Sequence, residues 1–253
     1  MYDTEHNVKN IAIRFYEELN DFLPAEKKKT RFNYEFSGRE SVKDLIEAIG
    51  IPHTEVDMIL VNGKSVDFNY IVQDKDDISV YPVFESFDIK EVQHLRPEPL
   101  RNPKFILDVH LGKLARYMRM LGFDSLYENN LNDEFIVELS LKEKRAILTR
   151  DVGLLKRRDI THGYYIRNIN TEKQIEEVVN RFQLEKMIKE FTRCIACNGT
   201  LAPIPKEKVI DKLPPKVKNH YTEFFTCSNC SKIYWHGSHV EGMTKVVNKY
   251  KRT

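Results

Sequence analysis

Residues 104–116 read KFILDVHLGKLAR, and residues 148–151 read LTRD. In the first stretch a short apolar run comes directly before Asp108, and in the second Thr149 and Arg150 separate an apolar run from Asp151. From Lys104 onward such apolar runs alternate with patterns of helical period, which predicts a parallel sheet with helices on both faces. The predicted fold class of this region is therefore α/β.

The predicted elements alternate regularly along this region. Strands are predicted at 105–107, 125–127, 146–149 and 164–166, and helices at 111–121, 134–144, 152–157 and 171–182. Gly122 is placed where a helix commonly ends, and Thr171 is predicted to cap the last helix.

Three aspartates are expected at the carboxyl edge of this sheet. Asp108 follows the first strand, Asp133 opens the helix after the second strand, and Asp151 follows the third strand. Ligands of parallel sheets bind at this edge, and carboxylates that gather there repel one another unless a cation lies between them. Their hard oxygen ligands favour Mg²⁺ or Mn²⁺, which can activate water for attack on a phosphodiester.

The same aspartates have a structural alternative. Aspartate is a favoured N-cap residue that stabilises a helix by ~1 kcal/mol, and each of the three lies near a predicted helix start. Asp124 is a fourth acidic candidate for the site, or a turn residue before the second strand. The sequence leaves these alternatives open.

Cationic residues accompany the acids. Lys113, Arg116 and Arg119 recur opposite the apolar stripe of the first predicted helix, and Arg150 precedes Asp151. Such residues hold nucleic-acid phosphates without reading sequence, so Lys113, Arg116 and Arg150 are predicted to contact RNA. The alternative is an ordinary solvated helix face.

Residues 8–86 have a different pattern, predicted to form an α+β domain. Two alternating apolar strands precede a helix capped by Ser41, and a hairpin through Asn62-Gly63 precedes a last strand at 78–83. The order ββαββ is that of a ubiquitin-like β-grasp and resembles the sulfur-carrier relatives of ubiquitin. Because the last strand continues into further chain without a Gly-Gly terminus, docking or stability is expected instead of sulfur carriage.

Two further segments complete the predicted organisation. Residues 87–103 carry three prolines among charges and are predicted to be an extended linker. Residues 104–190 then form the α/β domain, and residues 191–253 form a small domain of their own.

The last domain carries two CxxC pairs, Cys194–Cys197 and Cys227–Cys230. Two such pairs complete a tetrahedral S₄ site suited to Zn²⁺, which predicts a structural zinc ribbon. Several lysines lie between the pairs and predict either an RNA-binding face or a solubilising one: Lys206, Lys208, Lys212, Lys216 and Lys218.

Composition limits the classes of protein and partner. The formal net charge is +2, from 40 basic and 38 acidic residues, so a nucleic-acid partner must meet a local basic face. No apolar run approaches the roughly 20 residues of a membrane span, and the first residues lack the apolar region of a signal peptide. With cysteines in metal-ligand pairs, the expected location is the cytoplasm.

The quoted stretches, with Arg119-Met120-Leu121-Gly122-Phe123-Asp124 and Tyr234-Trp235-His236-Gly237-Ser238-His239, resemble the Mut-seven C-terminal RNase family. The resemblance implies a PIN-like nuclease fold with a C-terminal zinc ribbon and an N-terminal ubiquitin-like domain. It also implies metal-dependent RNA cleavage, with Asp108, Asp133 and Asp151 as ligands of Mg²⁺ or Mn²⁺.

One departure from the PIN-like pattern concerns a fourth acid near the end of the next strand. Residues Ile166-Arg167-Asn168 carry no carboxylate there, and Asp124 is the candidate to replace it. Two rival functions remain. One is a non-catalytic RNA- or ribosome-binding adaptor, and the other is an interaction protein whose ubiquitin-like domain recruits a protein partner.

Overall fold

The computed structural model describes residues 8–82 and 102–251, without the side chains of residues 238, 239 and 241. Residues 87–101 of the predicted linker lie outside the described residues. The chain divides into two compact units, Met1–Arg101 with Asp151–Tyr165, and Asn102–Arg150 with Ile166–Thr253. Part of the predicted α/β domain thus belongs to the first unit.

The N-terminal part of the first unit is the predicted β-grasp. Its elements are β1 (Val8–Phe15), β2 (Arg31–Ser37), α1 (Val42–Ile49), β3 (Met58–Val61), β4 (Lys64–Val66) and β5 (Asp77–Tyr81). The strand order is β2-β1-β5-β3-β4, with β1 and β5 parallel and the other neighbours antiparallel. The predicted order ββαββ is confirmed.

Local sequence explains the ends of these elements. The Ser41 side chain accepts a hydrogen bond from the Asp44 N–H at the start of α1, and Gly50 ends the helix at φ 125°. Asn62 and Gly63 both have positive φ, 50° and 79°, as a type I′ hairpin turn between β3 and β4 requires.

From Lys104 strands and helices alternate as predicted. The elements are β6 (Lys104–Leu107), α2 (Gly112–Met120), β7 (Ser125–Leu126), α3 (Asp133–Glu143), β8 (Arg145–Thr149), α4 (Val152–Leu155), β9 (Gly163–Tyr165) and α5 (Thr171–Arg181). In the second unit β6 lies between β7 and β8 and runs parallel to both. Every residue of β8 is buried, as is typical of parallel strands covered on both faces.

The last part of the second unit is a small antiparallel sheet. Its elements are β10 (Leu201–Ile204), α6 (Pro215–His220), β11 (Phe224–Cys227), β12 (Ile233–Trp235) and α7 (Ser238–Tyr250), with strand order β10-β11-β12. Val209, Leu213, Val217 and Phe224 form a buried apolar cluster beside this sheet. The lysine-rich interval between the cysteine pairs therefore has its own core, which the sequence analysis did not predict.

Among the described residues, no helix combines the length and the apolar character that crossing a membrane requires.

Candidate functional site

The four cysteines lie together. The Sγ atoms of Cys194, Cys197, Cys227 and Cys230 are all within 4.8 Å of one another. Cys194 and Cys230 are 3.7 Å apart between sulfurs, and Cys197 and Cys227 are 3.4 Å apart. A disulfide would bring two sulfurs to about 2.05 Å, and all four cysteines are free.

The spacing of the sulfurs suits a tetrahedral ion. Four sulfurs bound at about 2.3 Å from a central Zn²⁺ would lie about 3.8 Å from one another. Within the described ranges, this is the one group of three or more histidine, cysteine or acidic side chains that could hold a metal ion. The four cysteines therefore form a candidate zinc centre, as predicted from the two CxxC pairs.

The surroundings of Cys227 favour the ionised thiolate form of its side chain. Burial acts to raise its pKa, but hydrogen bonds from the backbone N–H groups of Cys230 and Asn229 oppose this effect and help lower the pKa to about 6. The two nitrogens are 3.5 and 3.4 Å from the Cys227 sulfur. A thiolate is the form that binds a metal ion.

Arg119 joins the first cysteine pair to the parallel sheet. Its guanidinium donates hydrogen bonds to the carbonyls of Ile195 and Ala196, at 3.1 and 3.0 Å, inside the turn between the two cysteines. It also donates to the carbonyls of Ser125 and Tyr127, at 2.8 and 3.3 Å. Arg119 is only 3% exposed, so it is a buried link and not part of a solvated face.

Asn198 makes a second link at the same turn. Its side-chain oxygen accepts the Ser125 N–H at 2.9 Å, and its side-chain nitrogen donates to Asp124 Oδ1 at 2.7 Å. Asn198 adopts φ 69°, a left-handed conformation in which asparagine is enriched. The residue after the CxxC pair therefore fixes the start of β7.

Asp124 belongs to this ion-paired link. Its Oδ1 accepts a hydrogen bond from Arg145 at 2.6 Å, and Arg193 lies 3.4 Å from Oδ2. Burial acts to raise the pKa of Asp124, but the hydrogen bonds from Arg145 and Asn198 outweigh it and lower the pKa. Asp124 precedes β7 at the amino end of the parallel strands, whereas Asp108 follows the carboxyl end of β6. This placement argues against Asp124 as a fourth acid beside Asp108.

Asp108 lies where the sequence predicted it, directly after β6. Its Oδ2 accepts a hydrogen bond from the Thr149 hydroxyl at 2.7 Å, and its Oδ1 accepts the Val109 N–H at 2.6 Å. Asp108 is 8% exposed and Thr149 is fully buried. The carboxyl ends of β6 and β8 therefore meet at a buried carboxylate–hydroxyl contact.

Asp151 and Asp133 lie at helix starts. Asp151 caps α4, since its Oδ1 accepts the N–H groups of Gly153 and Leu154 at 2.7 and 3.4 Å. Asp133 is the exposed first residue of α3, and the cap of that helix is Asn132. Asn170, not Thr171, likewise caps α5. The three predicted aspartates are not among the groups placed to hold a metal ion in the described part of the chain.

The predicted RNA contacts have different environments. Lys113 and Arg116 are exposed on α2. Arg150 is half-buried and donates hydrogen bonds to the carbonyls of Arg167 and Asn168, at 3.1 and 2.7 Å. Arg150 therefore holds the segment after β9 in place, a structural role that the sequence analysis did not assign to it.

Glu177 is a half-buried acid that the sequence analysis missed. Its carboxylate accepts the backbone N–H groups of Arg167 and Asn168, at 3.2 and 3.3 Å, and burial raises its pKa. A carboxylate thus lies at the segment where the sequence shows none, because α5 supplies it from nine residues beyond Asn168. Glu177 is one of several acidic residues on α5, and nothing in the sequence distinguishes it from the others as the one that makes this contact.

Two family models match the chain. The Mut7-C RNAse domain matches residues 103–247, and the Mut7-C ubiquitin domain matches residues 8–88. Both agree with the resemblance found in the sequence and with the β-grasp of the first unit. No curated protein and no solved structure gives a significant match.

Proposed function

The chain belongs to the Mut7-C RNAse domain family, and from this membership we propose that it is a metal-dependent ribonuclease that hydrolyses RNA phosphodiester bonds. The proposed metal ligands are Asp108, Asp133 and Asp151. The class of reaction follows from the family, and the choice of metal ligands is argued from the residues of this chain.

The observation that carries the proposal is the buried contact between Asp108 and Thr149. It lies at the carboxyl ends of adjacent parallel strands, the edge at which ligands of such sheets bind. A buried carboxylate is costly unless it is hydrogen-bonded. The Thr149 hydroxyl and the Val109 N–H stabilise the Asp108 carboxylate and fix its orientation.

The chemistry of the acidic residues fits Mg²⁺ or Mn²⁺. Magnesium in proteins is commonly held by one or two carboxylates, with water and substrate phosphates completing its coordination, so three acids in direct mutual contact are not required. A bound ion would lower the pKa of a water molecule and stabilise the charge that develops on the phosphate.

The remaining residues have positioning roles in this proposal. Lys113 and Arg116, exposed on α2, bind phosphates on either side of the cleaved bond without selecting a sequence. The cysteine centre binds Zn²⁺, and because four thiolates leave no open position on the ion, that zinc is structural. Free thiols in a metal-binding arrangement favour a reducing location such as the cytoplasm.

The test replaces Asp108 and Asp151 individually with asparagine. Asparagine keeps the size of aspartate and also caps helices well, so both variants retain the fold. Cleavage of a mixed-sequence single-stranded RNA in Mn²⁺ is expected to fall by about 100-fold or more. Zinc content and thermal unfolding are measured in parallel and should stay at wild-type values.

Asp211→Asn is the matched control, because Asp211 is exposed in the cysteine-containing domain. This variant should cleave RNA at the wild-type rate. Undiminished metal-dependent cleavage in both Asp108→Asn and Asp151→Asn would overturn the assignment of the acidic site.

One observation favours a second function. Asp151 caps α4 and Asp133 begins α3. Helix starts favour acidic residues, so these positions explain both aspartates without a metal ion. A non-catalytic RNA-binding adaptor would bind the same RNA in Mn²⁺ without cleaving it. Binding without turnover by the wild-type protein would select this alternative.

A further inference from the structure

The first compact unit joins the β-grasp to a distant segment of the RNAse domain. Residues 151–165 belong to this unit although about 70 residues separate them from the end of β5. The segment starts at Asp151, continues through α4 and ends with β9. Leu154, Leu155 and Ile160 within it are buried.

His53 makes the first polar contact with this segment. Its Nε2 lies 2.7 Å from the carbonyl oxygen of Ile160, and its Nδ1 is hydrogen-bonded to the Glu47 carboxylate. His53 is 6% exposed. A hydrogen-bonded carboxylate on Nδ1 fixes the orientation of the ring, and Nε2 then faces the Ile160 carbonyl.

Glu55 makes the second contact. Its Oε1 accepts the backbone N–H of Tyr165 at 2.7 Å, and Glu55 is 2% exposed. The Tyr165 ring packs edge-on against Phe22, with ring centroids 5.3 Å apart. An acid this deeply buried is costly without hydrogen bonds, and the Tyr165 N–H supplies one of them.

Two half-buried lysines add further contacts. Lys156 donates a hydrogen bond to the Glu47 carbonyl at 2.7 Å, and Lys43 donates to the Arg158 carbonyl at 3.2 Å. With His53 and Glu55, the β-grasp therefore holds the segment at residues 156, 158, 160 and 165. We call Lys43, Glu47, His53 and Glu55 the segment-binding surface.

We propose that the β-grasp acts within its own chain, and that its segment-binding surface positions the stretch that begins with Asp151. A helix as short as α4 is not stable by itself, so the conformation of Asp151 at its N-cap depends on what holds the following residues. His53 and Glu55 are then positioning residues for the nuclease reaction. The catalytic part of this inference rests on the proposed function, whereas the binding part does not.

The test compares Glu55→Ala with Glu55→Gln in the full-length protein. Hydrogen exchange of the Tyr165 amide reads the contact directly. Glu55→Ala removes the acceptor, so this amide and those of 152–160 should exchange about tenfold faster or more. Glu55→Gln keeps a carbonyl oxygen and should restore most of the protection. Lys156→Met, which removes the hydrogen bond from the half-buried Lys156 of the segment to the Glu47 carbonyl and keeps most of the apolar side chain, should also speed exchange in 152–160.

Catalysis is measured on the same variants with single-stranded RNA in Mn²⁺. Glu55→Ala and Lys156→Met should lower kcat and leave KM near the wild-type value, because they misplace Asp151 without touching the phosphate-binding residues. Glu35→Ala is the matched control, since Glu35 is exposed on β2 of the same domain. It should change neither exchange nor kcat.

Each failure has a separate signature. Unchanged exchange in both Glu55→Ala and Lys156→Met overturns the binding of the segment by the β-grasp. Faster exchange with unchanged kcat overturns the positioning of Asp151. A wild-type protein that cleaves no RNA contradicts the proposed nuclease function, and the exchange measurements still decide whether the β-grasp holds the segment.

Discussion

At the scale of single residues, Gly199 lies against the cysteine centre without room for a side chain. A Cβ at this position would lie 2.7 Å from the Cys227 sulfur and 2.9 Å from the Asn229 Cβ. Both distances are too short for ordinary contact, so Gly199→Ala must displace a sulfur that is a proposed zinc ligand. Changes beside metal ligands typically cost about 10–100-fold in affinity, and we expect a loss of that size.

Competition with a chromophoric zinc chelator measures this loss. Gly242→Ala is the control, because a Cβ at Gly242 on α7 meets nothing within 4 Å. That variant should bind zinc as the wild type does. Equal zinc affinity of Gly199→Ala and wild type would mean that the sulfurs are not held as tightly as the geometry requires.

Residue types alone predicted the cysteine cluster but not its surroundings. Two CxxC pairs constrain four thiolates strongly, because each pair brings two sulfurs to one side of a turn. For Arg119 the sequence predicted a solvent-exposed position, since helical periodicity placed it on the same face as Lys113 and Arg116. The structure buries it, because its hydrogen-bond acceptors include carbonyls 76 and 77 residues further along the chain, which no local pattern reveals.

At the scale of elements, the short strand β7 is held by the ion pair between Asp124 and Arg145 at its start. The strand has two residues, too few to be stable by their own hydrogen bonds, and Asp124 before it binds Arg145 and Asn198. Asp124→Asn removes the charge that compensates buried Arg145. Because Glu143 still pairs with Arg145, we expect a loss of about 2 kcal/mol in unfolding free energy at neutral pH.

The pH dependence of unfolding distinguishes this ion pair from ordinary packing. The folded-state pKa of Asp124 is lowered, so its stabilisation is present above the unfolded pKa of about 3.9 and is lost as pH falls through the folded value. The stability of the wild type should therefore drop more steeply than that of Asp124→Asn below about pH 4. Denaturant unfolding between pH 6 and 3 tests this, and parallel curves would contradict it.

The alternation of strands and helices could be predicted, whereas their exact starts could not. The spacing of apolar residues distinguishes a helix from a strand once the pattern is long enough. It does not show which polar residue caps the helix. Asn132 therefore caps α3 two residues before the predicted start at 134, and Asn170 caps α5 one residue before the predicted start at 171. The strands of the cysteine-containing domain were missed because they are short and lie beside a lysine-rich interval.

At the scale of the whole molecule, the compact units are not contiguous in sequence. Composition and prolines place domain boundaries along the chain, so the prediction assigned 104–190 to one domain. The assignment of 151–165 to the first unit depends on contacts across more than 100 residues, such as those of His53 and Glu55. Spatial convergence of the three aspartates is a long-range property of the same kind and stays a prediction.

In the second unit hydrogen bonds link the candidate zinc centre to the parallel sheet. The turn that holds Cys194 and Cys197 supplies two of the carbonyls bound by Arg119, and the adjacent Asn198 binds the first residue of β7. Structural zinc supplies much of the folding free energy of such small domains. Removing the proposed zinc ion should therefore free the Arg119 guanidinium and expose the amides of β7.

Hydrogen exchange before and after treatment with a strong chelator measures this coupling. We expect faster exchange at residues 119–127 together with the cysteine turns, and unchanged exchange in β1 and β5 of the β-grasp. Arg119→Lys should raise exchange at 119–127 with zinc still bound, because lysine cannot reach four carbonyls at once. If chelation speeds exchange only in the cysteine-containing domain, the hydrogen bonds of Arg119 and Asn198 do not couple the stability of the parallel sheet to that of this domain.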